Sequence, residues 1–538
     1  MLRIALRQGR AGVIAATAIA AFNGIAQALG YAAIAGDTPA TRAAFAAQME
    51  LLGRQLTFLL PAPTQVDTMA GFLQWRHFGT LPLVYAAWAL LAATGSSRAD
   101  EERGYVEMWL AAGLARFRYL AARAGAFTLY AAISAAITCA ATLLGATLAG
   151  GTVPLTGLLA QGVALVALTL CCYGLGVLVS QLMVTGRNAA GTGAAVLGTL
   201  FLVAGAARSG GLDAIAPLSP FWQYERSRPL ISGGTFDVMS VAWLVAISMF
   251  ATALAAMLFL RRDLGASALP RRVSHAPAVR DPAMRPTLRI PVLAGIDRQL
   301  GGLVGWAIAL GAFGLFLGSL LPTMIRLAKE VPLIQLMVLR GGAGDLESGF
   351  VGAVWGSTAL LVLSCYAIAQ VAGWVADESD GRLEMALSAP VTRSRIVLER
   401  AATLFVGASL LVIVASVVIG GVTRAQGLSV DLARFAGASA LLVPLVVALG
   451  AIGAVLIGWR PRAAVWLLVL VTVASYFIQQ LAPMFGFPDV VRNLSLFELY
   501  GTPMLLGPNW AGLAAQLAII VVGFGAAAVA MSRRDITR

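Results

Sequence analysis

The side chains in this chain most able to do chemistry lie in one polar segment that occurs twice. Residues 100–123 read DEERGYVEMWLAAGLARFRYLAAR and residues 377–400 read DESDGRLEMALSAPVTRSRIVLER, at an ungapped offset of 277. Ten of the 24 positions are identical: Asp100/Asp377, Glu101/Glu378, Gly104/Gly381, Glu107/Glu384, Met108/Met385, Leu110/Leu387, Ala112/Ala389, Arg116/Arg393, Arg118/Arg395 and Arg123/Arg400. Most of these are charged residues or glycine, not the Ala and Leu that would match by chance in so apolar a chain. Each copy is an acidic cluster, a glycine, a glutamate, a short apolar stretch and paired arginines. Gly104 and Gly381 permit a sharp turn. Glu107 and Glu384 then fall in the first turn of a short helix, where a carboxylate suits the helix dipole. Val106, Trp109 and Leu110, matched by Leu383, Ala386 and Leu387, share one face of that helix. The expected product is a short amphipathic helix, braced by charge and offering an apolar face. This is chemistry for docking. A membrane-embedded enzyme needs clustered carboxylates, a histidine pair or a nucleophile beside a base, and none is visible. The two histidines, His77 and His275, are far apart in sequence, so no metal site is expected.

The elements that must position this segment are membrane spans. The chain has 538 residues, is 59% hydrophobic and only 12% charged, against about 45–50% apolar and 25% charged in soluble domains. The mean hydropathy is +0.84. Twelve apolar stretches suit helices crossing a core about 30 Å thick: 11–35, 78–95, 122–149, 155–184, 188–206, 239–260, 303–325, 352–375, 399–421, 433–457, 463–483 and 509–531. The fold class is therefore an all-α polytopic membrane protein of about twelve transmembrane helices. Cys139, Cys171, Cys172 and Cys365 all fall in apolar stretches and read as small buried hydrophobes. Arg3, Arg7 and Arg10 before an apolar run mimic a secretory signal. However, Arg7-Gln8 plus a span recurs as Arg298-Gln299 plus span seven, so the first span is expected to be permanent.

With the amino terminus inside, the inner segments carry 26 of the 38 basic residues and 13 of the 25 acids, a net +13; the outer segments carry 12 of each and are neutral. That asymmetry follows the positive-inside rule and places both termini in the cytoplasm. Anchoring to an anionic inner leaflet accounts for the basic total without a nucleic-acid partner. Both copies of the polar segment then lie inside, after spans two and eight. Other matched pieces extend the duplication. LSPFWQYE (218–225) pairs with LSLFELYG (494–501), and LRRDL (260–264) pairs with SRRDI (532–536). The expected organisation is a first six-helix half at 1–262, a cytosolic Arg/Pro-rich linker at 263–298, and a second six-helix half at 299–538. Six spans between equivalent points make this a parallel repeat.

The pattern Glu-x-x-Gly-x-x-Glu, apolar pair, Pro, paired Arg resembles the cytosolic coupling segment of ABC-2-type (type V) exporter permeases, in particular the duplicated actinobacterial form that exports antibiotics or polyketides. The resemblance covers essentially the whole chain. It implies a permease subunit in the plasma membrane that moves hydrophobic or amphipathic compounds outward. It also implies two copies of a cytosolic ATPase subunit as partners, with ATP and magnesium held there and none on this chain. The implied coupling residues are Glu101, Gly104, Glu107, Trp109, Arg116 and Arg118, with Glu378, Gly381, Glu384, Pro390, Arg393 and Arg395. The first copy has Gly113 where the family proline stands as Pro390, so the halves are expected to dock unequally. The implied substrate cavity lies between the halves, on spans two, five, eight and eleven, which offer Trp88, Phe201, Trp355, Tyr366, Tyr476, Phe477, Gln479 and Gln480. A phosphate-binding loop needs Gly-x-x-x-x-Gly-Lys-Ser/Thr. The only lysine is Lys329, in RLAKEVP, so ATP hydrolysis is expected on a separate polypeptide and this chain is not itself an enzyme. The alternative is an ion-gradient-driven secondary multidrug transporter. It is disfavoured because every acid maps to a loop or a span end, whereas proton-coupled carriers place acids inside the membrane.

Overall fold

A lipid-spanning backbone must satisfy its own N–H and C=O groups, and Ala/Leu/Val-rich runs do so as helices. The structure, a computed structural model, describes every residue except 56, 58, 59, 209–213, 269–289, 331–345, 380, 429, 486, 487, 505 and 535–538. All regular elements among the described residues are helical. The chain forms two units, Met1–Ala276 and Pro277–Arg538.

In the first unit the helices used below are α1 (Leu2–Ala35), α2 (Pro39–Gln55), α3 (Met69–Glu102), α4 (Tyr105–Ala111), α5 (Arg116–Leu148), α6 (Leu155–Leu182), α7 (Gly186–Arg208), α8 (Pro220–Glu225) and α9 (Val238–Arg261). In the second unit they are α10 (Pro291–Glu330), α11 (Leu346–Ser379), α12 (Arg382–Leu387), α13 (Arg393–Ala425), α14 (Leu432–Trp459), α15 (Pro461–Phe485), α16 (Leu496–Tyr500) and α17 (Trp510–Arg533). Among the described residues ten helices are long and apolar enough to cross a membrane. The other two expected stretches are also helical: 303–325 lies within α10, and 463–483 within α15, whose described apolar part Ala463–Gln479 is shorter. The linker expected at 263–298 lies largely outside the described residues. Its far end differs from expectation, because Pro291 starts α10, a position where the missing N–H costs nothing.

Helix α3 shows how the sequence pays for its irregularities. Pro82 sits inside it and cannot donate to the carbonyl of Phe78. The Tyr224 hydroxyl donates to that carbonyl instead, at 3.1 Å. π-helical turns at Leu73–His77 and Gly95–Ala99 extend α3 well beyond the expected span 78–95. His77 is therefore inside a helix and not on a loop. It is fully buried, with Asn23 Nδ2 at 2.9 Å from Nδ1 and Thr142 Oγ1 at 3.1 Å from Nε2. Asn23 can only donate through Nδ2, so the arrangement fits a neutral imidazole protonated on Nε2. Cys139, Cys171 and Cys172 are buried free thiols as expected; Cys365 is also free but exposed on α11.

The repeated pieces fold alike within their own units. Ser219 and Ser495 each cap a short helix, α8 and α16, accepting from Trp222 N and from Phe497 N and Glu498 N. Each serine hydroxyl also donates backwards, Ser219 to Leu200 O at 2.7 Å and Ser495 to Ser475 O at 2.8 Å.

Candidate functional site

The polar segment does not leave the membrane as a loop. Asp100 to Glu102 finish α3, and Asp377 and Glu378 lie in the last turn of α11. The turn follows at Gly104, φ 73°, and Gly381, φ 72°. Both are left-handed, which any Cβ would strain. Helices α4 and α12 start there and carry Glu107 and Glu384 in their first turns. The copies end differently. In the first, Gly113 at φ 86° closes the helix through Gly113 N to Leu110 O (3.0 Å) and Leu114 N to Trp109 O (3.2 Å), a left-handed glycine stop. In the second, Pro390 stands two residues past the C-cap Ser388 and prevents continuation. Glycine and proline thus terminate the same helix by different means, which weakens the expectation that Gly113 alone makes the halves unequal.

Four of the ten identical positions wire each unit to itself. Glu101 has a side chain only 2% exposed. It accepts from Arg262 Nη1 (2.6 Å) and Nη2 (2.5 Å) and from Gly265 N (2.6 Å), with Arg98 Nη1 at 3.1 Å. Arg262 Nε also donates to Gln181 at 3.0 Å. The second copy repeats the clasp: Glu378 pairs with Arg534, whose Nη1 also donates to Ile457 O at 3.0 Å. Arg116 Nη1 donates to the carbonyls of Phe259 (3.1 Å) and Arg262 (2.8 Å). Arg393 Nη1 does the same to Met531 (3.1 Å) and Arg534 (2.5 Å). Each arginine thereby satisfies carbonyls left free at the C-terminal end of α9 or α17. Asp100 pairs with Arg123 and accepts from Tyr119 at 3.1 Å; Asp377 lies 3.5 Å from Arg400. The glutamates at the ends of α3 and α11 thus hold the second arginine of each closing RRD motif, Arg262 and Arg534.

The apolar face of α4 also points inward, which corrects the expectation that it is offered to a partner. Val106 is 1% exposed and clusters with Tyr119 and Phe259, with Trp109, Leu110 and Leu114 packed on them. Leu383 is likewise buried, while Ala386 is exposed. Burying this stripe on its own unit is the cheaper arrangement, since it removes apolar area from water permanently. What faces outward is Glu107, Met108, Ala112 and Arg118 in the first copy and Glu384, Met385, Ala389 and Arg395 in the second. Glu107, Glu384 and Arg118 make no ion pair among the described residues; Arg395 reaches Glu399 at 2.8 Å.

The aromatic residues assigned to a cavity divide into two groups. Trp88, Trp355 and Tyr366 belong to the core of their own unit. Trp88 packs on Tyr85 and Phe127, Trp355 donates to Ser439 at 3.1 Å, and Tyr366 meets Trp306 edge to face. Phe201, Tyr476 and Phe477 are half-buried, Gln479 is mostly buried, and the side chain of Gln480 lies outside the described residues. Sequence reasoning missed Arg98, Gln181, Arg262 and Arg534. The signal was the repeated RRD motif, whose arginines needed matching to the repeated acids.

Fold and wiring define a class: an all-α, multi-pass membrane protein whose two units each lock a short surface helix onto the end of their last span. Residues 288–532 match the family model described as "Multidrug efflux system permease Rv1217c, C-terminal domain". Over 524 residues the chain is 26% identical to "Multidrug efflux system permease protein Rv1217c" of Mycobacterium tuberculosis (strain ATCC 25618 / H37Rv), covering 93% of this chain and 88% of that protein. The chain is thus similar, along nearly its whole length, to a multidrug efflux permease.

Proposed function

We infer that the chain is the membrane-spanning permease subunit of a drug exporter, and we propose that the exporter is driven by ATP hydrolysed on a separate subunit. The observation that carries the coupling role is what remains after the inward wiring is subtracted. Glu107/Glu384, Met108/Met385, Ala112/Ala389 and Arg118/Arg395 are identical in both copies and exposed in both. Lipid does not ask for Glu107/Glu384 or Met108/Met385, which stand on short helices beyond the spans; Arg118 and Arg395 stand in the first turns of α5 and α13 that follow. Two equivalent faces suit two copies of one ATPase, each docking on one unit, with ATP and magnesium bound by the partner. When ATP draws the ATPase copies together, each segment is carried with its partner. The Glu101–Arg262 and Arg116 contacts then transmit that displacement to the end of α9, and their counterparts transmit it to the end of α17. The cargo is a hydrophobic or amphipathic compound, consistent with the half-buried aromatics Phe201, Tyr476 and Phe477.

The test is reconstitution. Tagged chain co-expressed with a candidate ABC ATPase subunit should purify as a complex that hydrolyses ATP and exports a dye from proteoliposomes. Removing the partner's P-loop lysine should stop export, and a proton uncoupler should not. ATP hydrolysis by this chain alone, or export stopped only by the uncoupler, would overturn the division of labour. The proposed orientation in the plasma membrane puts both termini and the linker in the cytoplasm. Reporter fusions at Arg10, His275 and Arg538 should read cytoplasm, and fusions at Asp67 and Asp345 should read outside. A fusion at His275 that reads outside would break the six-plus-six arrangement.

A further inference from the structure

We propose that the first unit holds a membrane phospholipid with an anionic headgroup in a cavity between α5 and α9, floored by α6. The cavity measures about 410 Å³, within the range of about 300–1,000 Å³ usual for ligand sites. Its walls run along α5 from Phe117 to Thr128, twelve residues and so eleven rises, or about 16 Å of helix. That is the depth of one hydrocarbon leaflet, half of about 30 Å. The exposed residues at its mouth, Phe117, Ala121, Met249 and Ala253, sit on helices apolar enough to span a membrane, so the cavity opens sideways toward lipid. Polar groups gather about midway along this wall, where Ser96, Tyr173 and Arg123 line the cavity, with the charged repeated segment beyond its Phe117 end. Arg123 is paired with Asp100, so the wider charge decides the preference. Residues 98–123 and 261–263 carry seven arginines and five acids, a net +2. An apolar slot one acyl chain deep, with a net positive end, suits an acyl chain below an anionic phosphate.

The second unit fills four of five equivalent positions differently. A space of about 30 Å³ there runs toward the Glu378–Arg534 clasp and shares five positions with the cavity: Trp374, Val397, Arg400, Ala454 and Phe524. These stand at the repeat positions of Ser97, Leu120, Arg123, Val177 and Thr252, at offsets of 277 or, at the last helix, 272. Arginine is kept, but two small hydroxyl residues become two large aromatics, and Trp374 lies beneath Arg400 at 5.8 Å. Filling of that size removes room for a chain. This proposal is independent of the export reading, and its failure would leave ATPase coupling untouched.

The experiment is photo-crosslinking in proteoliposomes with phosphatidylglycerol, phosphatidylcholine or palmitate carrying a diazirine on the acyl chain, read by peptide mass spectrometry. Phosphatidylglycerol should label segments 117–128 and 245–256 at least fivefold over phosphatidylcholine, with no such preference at 394–405 and 517–528. Thr252→Phe imports the second unit's aromatic, and Ala253→Trp blocks the mouth from an exposed position that the fold does not need. Each should reduce the preferential label to background while gel filtration stays normal. Equal labelling by the two phospholipids would mean ordinary annular lipid and overturn the proposal, as would labelling unchanged in both variants. Labelling by palmitate without phosphatidylglycerol would assign the cavity to a free acyl anion and overturn the phospholipid assignment.

Discussion

Glu101→Ala is expected to destabilise the first unit by about 3–5 kcal/mol, the usual cost of stranding buried charges by removing their partner. Arg262 and Glu101 have side chains only 5% and 2% exposed, and Arg98 is 1% exposed. Without the carboxylate, two guanidiniums face each other in a site nearly closed to water. The Gly265 N–H also loses its acceptor, and the chain turn after α9 loses its anchor. The measurement is fluorescence-detected gel filtration after heating, together with membrane abundance. The variant should show a midpoint lowered by several degrees and reduced yield. Glu378→Ala should cost less, because Arg534 is 29% exposed and can be solvated in part, and because Val375 stands at the position of Arg98. A Glu101→Ala protein as stable as the wild type would show that the clasp is not what holds α3 to α9.

Much of this architecture was legible in the sequence because the lipid constraint is strict. Twenty apolar residues in a row leave the backbone little choice but a helix, so each of the ten long helices overlaps an expected span, while several, α1, α3, α5 and α13 among them, run six to nine residues further at one end or both. The two left-handed glycines were also legible, since an acidic cluster followed by glycine and a new helix start demands a turn. Side-chain direction was not. The spacing of Val106, Trp109 and Leu110 shows a shared face, but not whether it meets a partner or the end of the last helix. That depends on α9 returning beside α3, a contact 161 residues apart in the chain. The same limit applies to Glu101 and Arg116, expected on a docking face and found bonded to Arg262 and its carbonyl. It also applies to Trp88, Trp355 and Tyr366, which pack within their own units. His77 escaped because a π-helical turn extends α3 beyond the apolar run, and hydropathy carries no trace of such a turn.

The outward face gives the second large effect. Glu107→Arg and Glu384→Arg together should abolish export while leaving abundance and the melting midpoint near wild type. Both glutamates are exposed and make no ion pair among the described residues, so their reversal strands no buried charge within the chain. Surface substitutions of this kind usually stay within about 0.5 kcal/mol of neutral. At a docked interface the same change sets like charges together or leaves a partner's charge unpaired, at a cost of roughly 2–5 kcal/mol. A cost of 2.7 kcal/mol weakens association about a hundredfold, since each 1.4 kcal/mol is tenfold. Because Gly113 and Pro390 both stop the helix after the same face, each single reversal should impair export to a similar degree. The assay is dye export in cells beside a blot for the chain and co-purification of the ATPase. Loss of export with the chain abundant and the ATPase no longer retained is the expected result. Compensating acid substitutions on the ATPase surface should restore part of the export, which damage to folding alone could not explain. If the double reversal exports normally at normal abundance, the exposed repeated residues are only a membrane-surface feature, and the ATP-driven reading loses the observation that carries it.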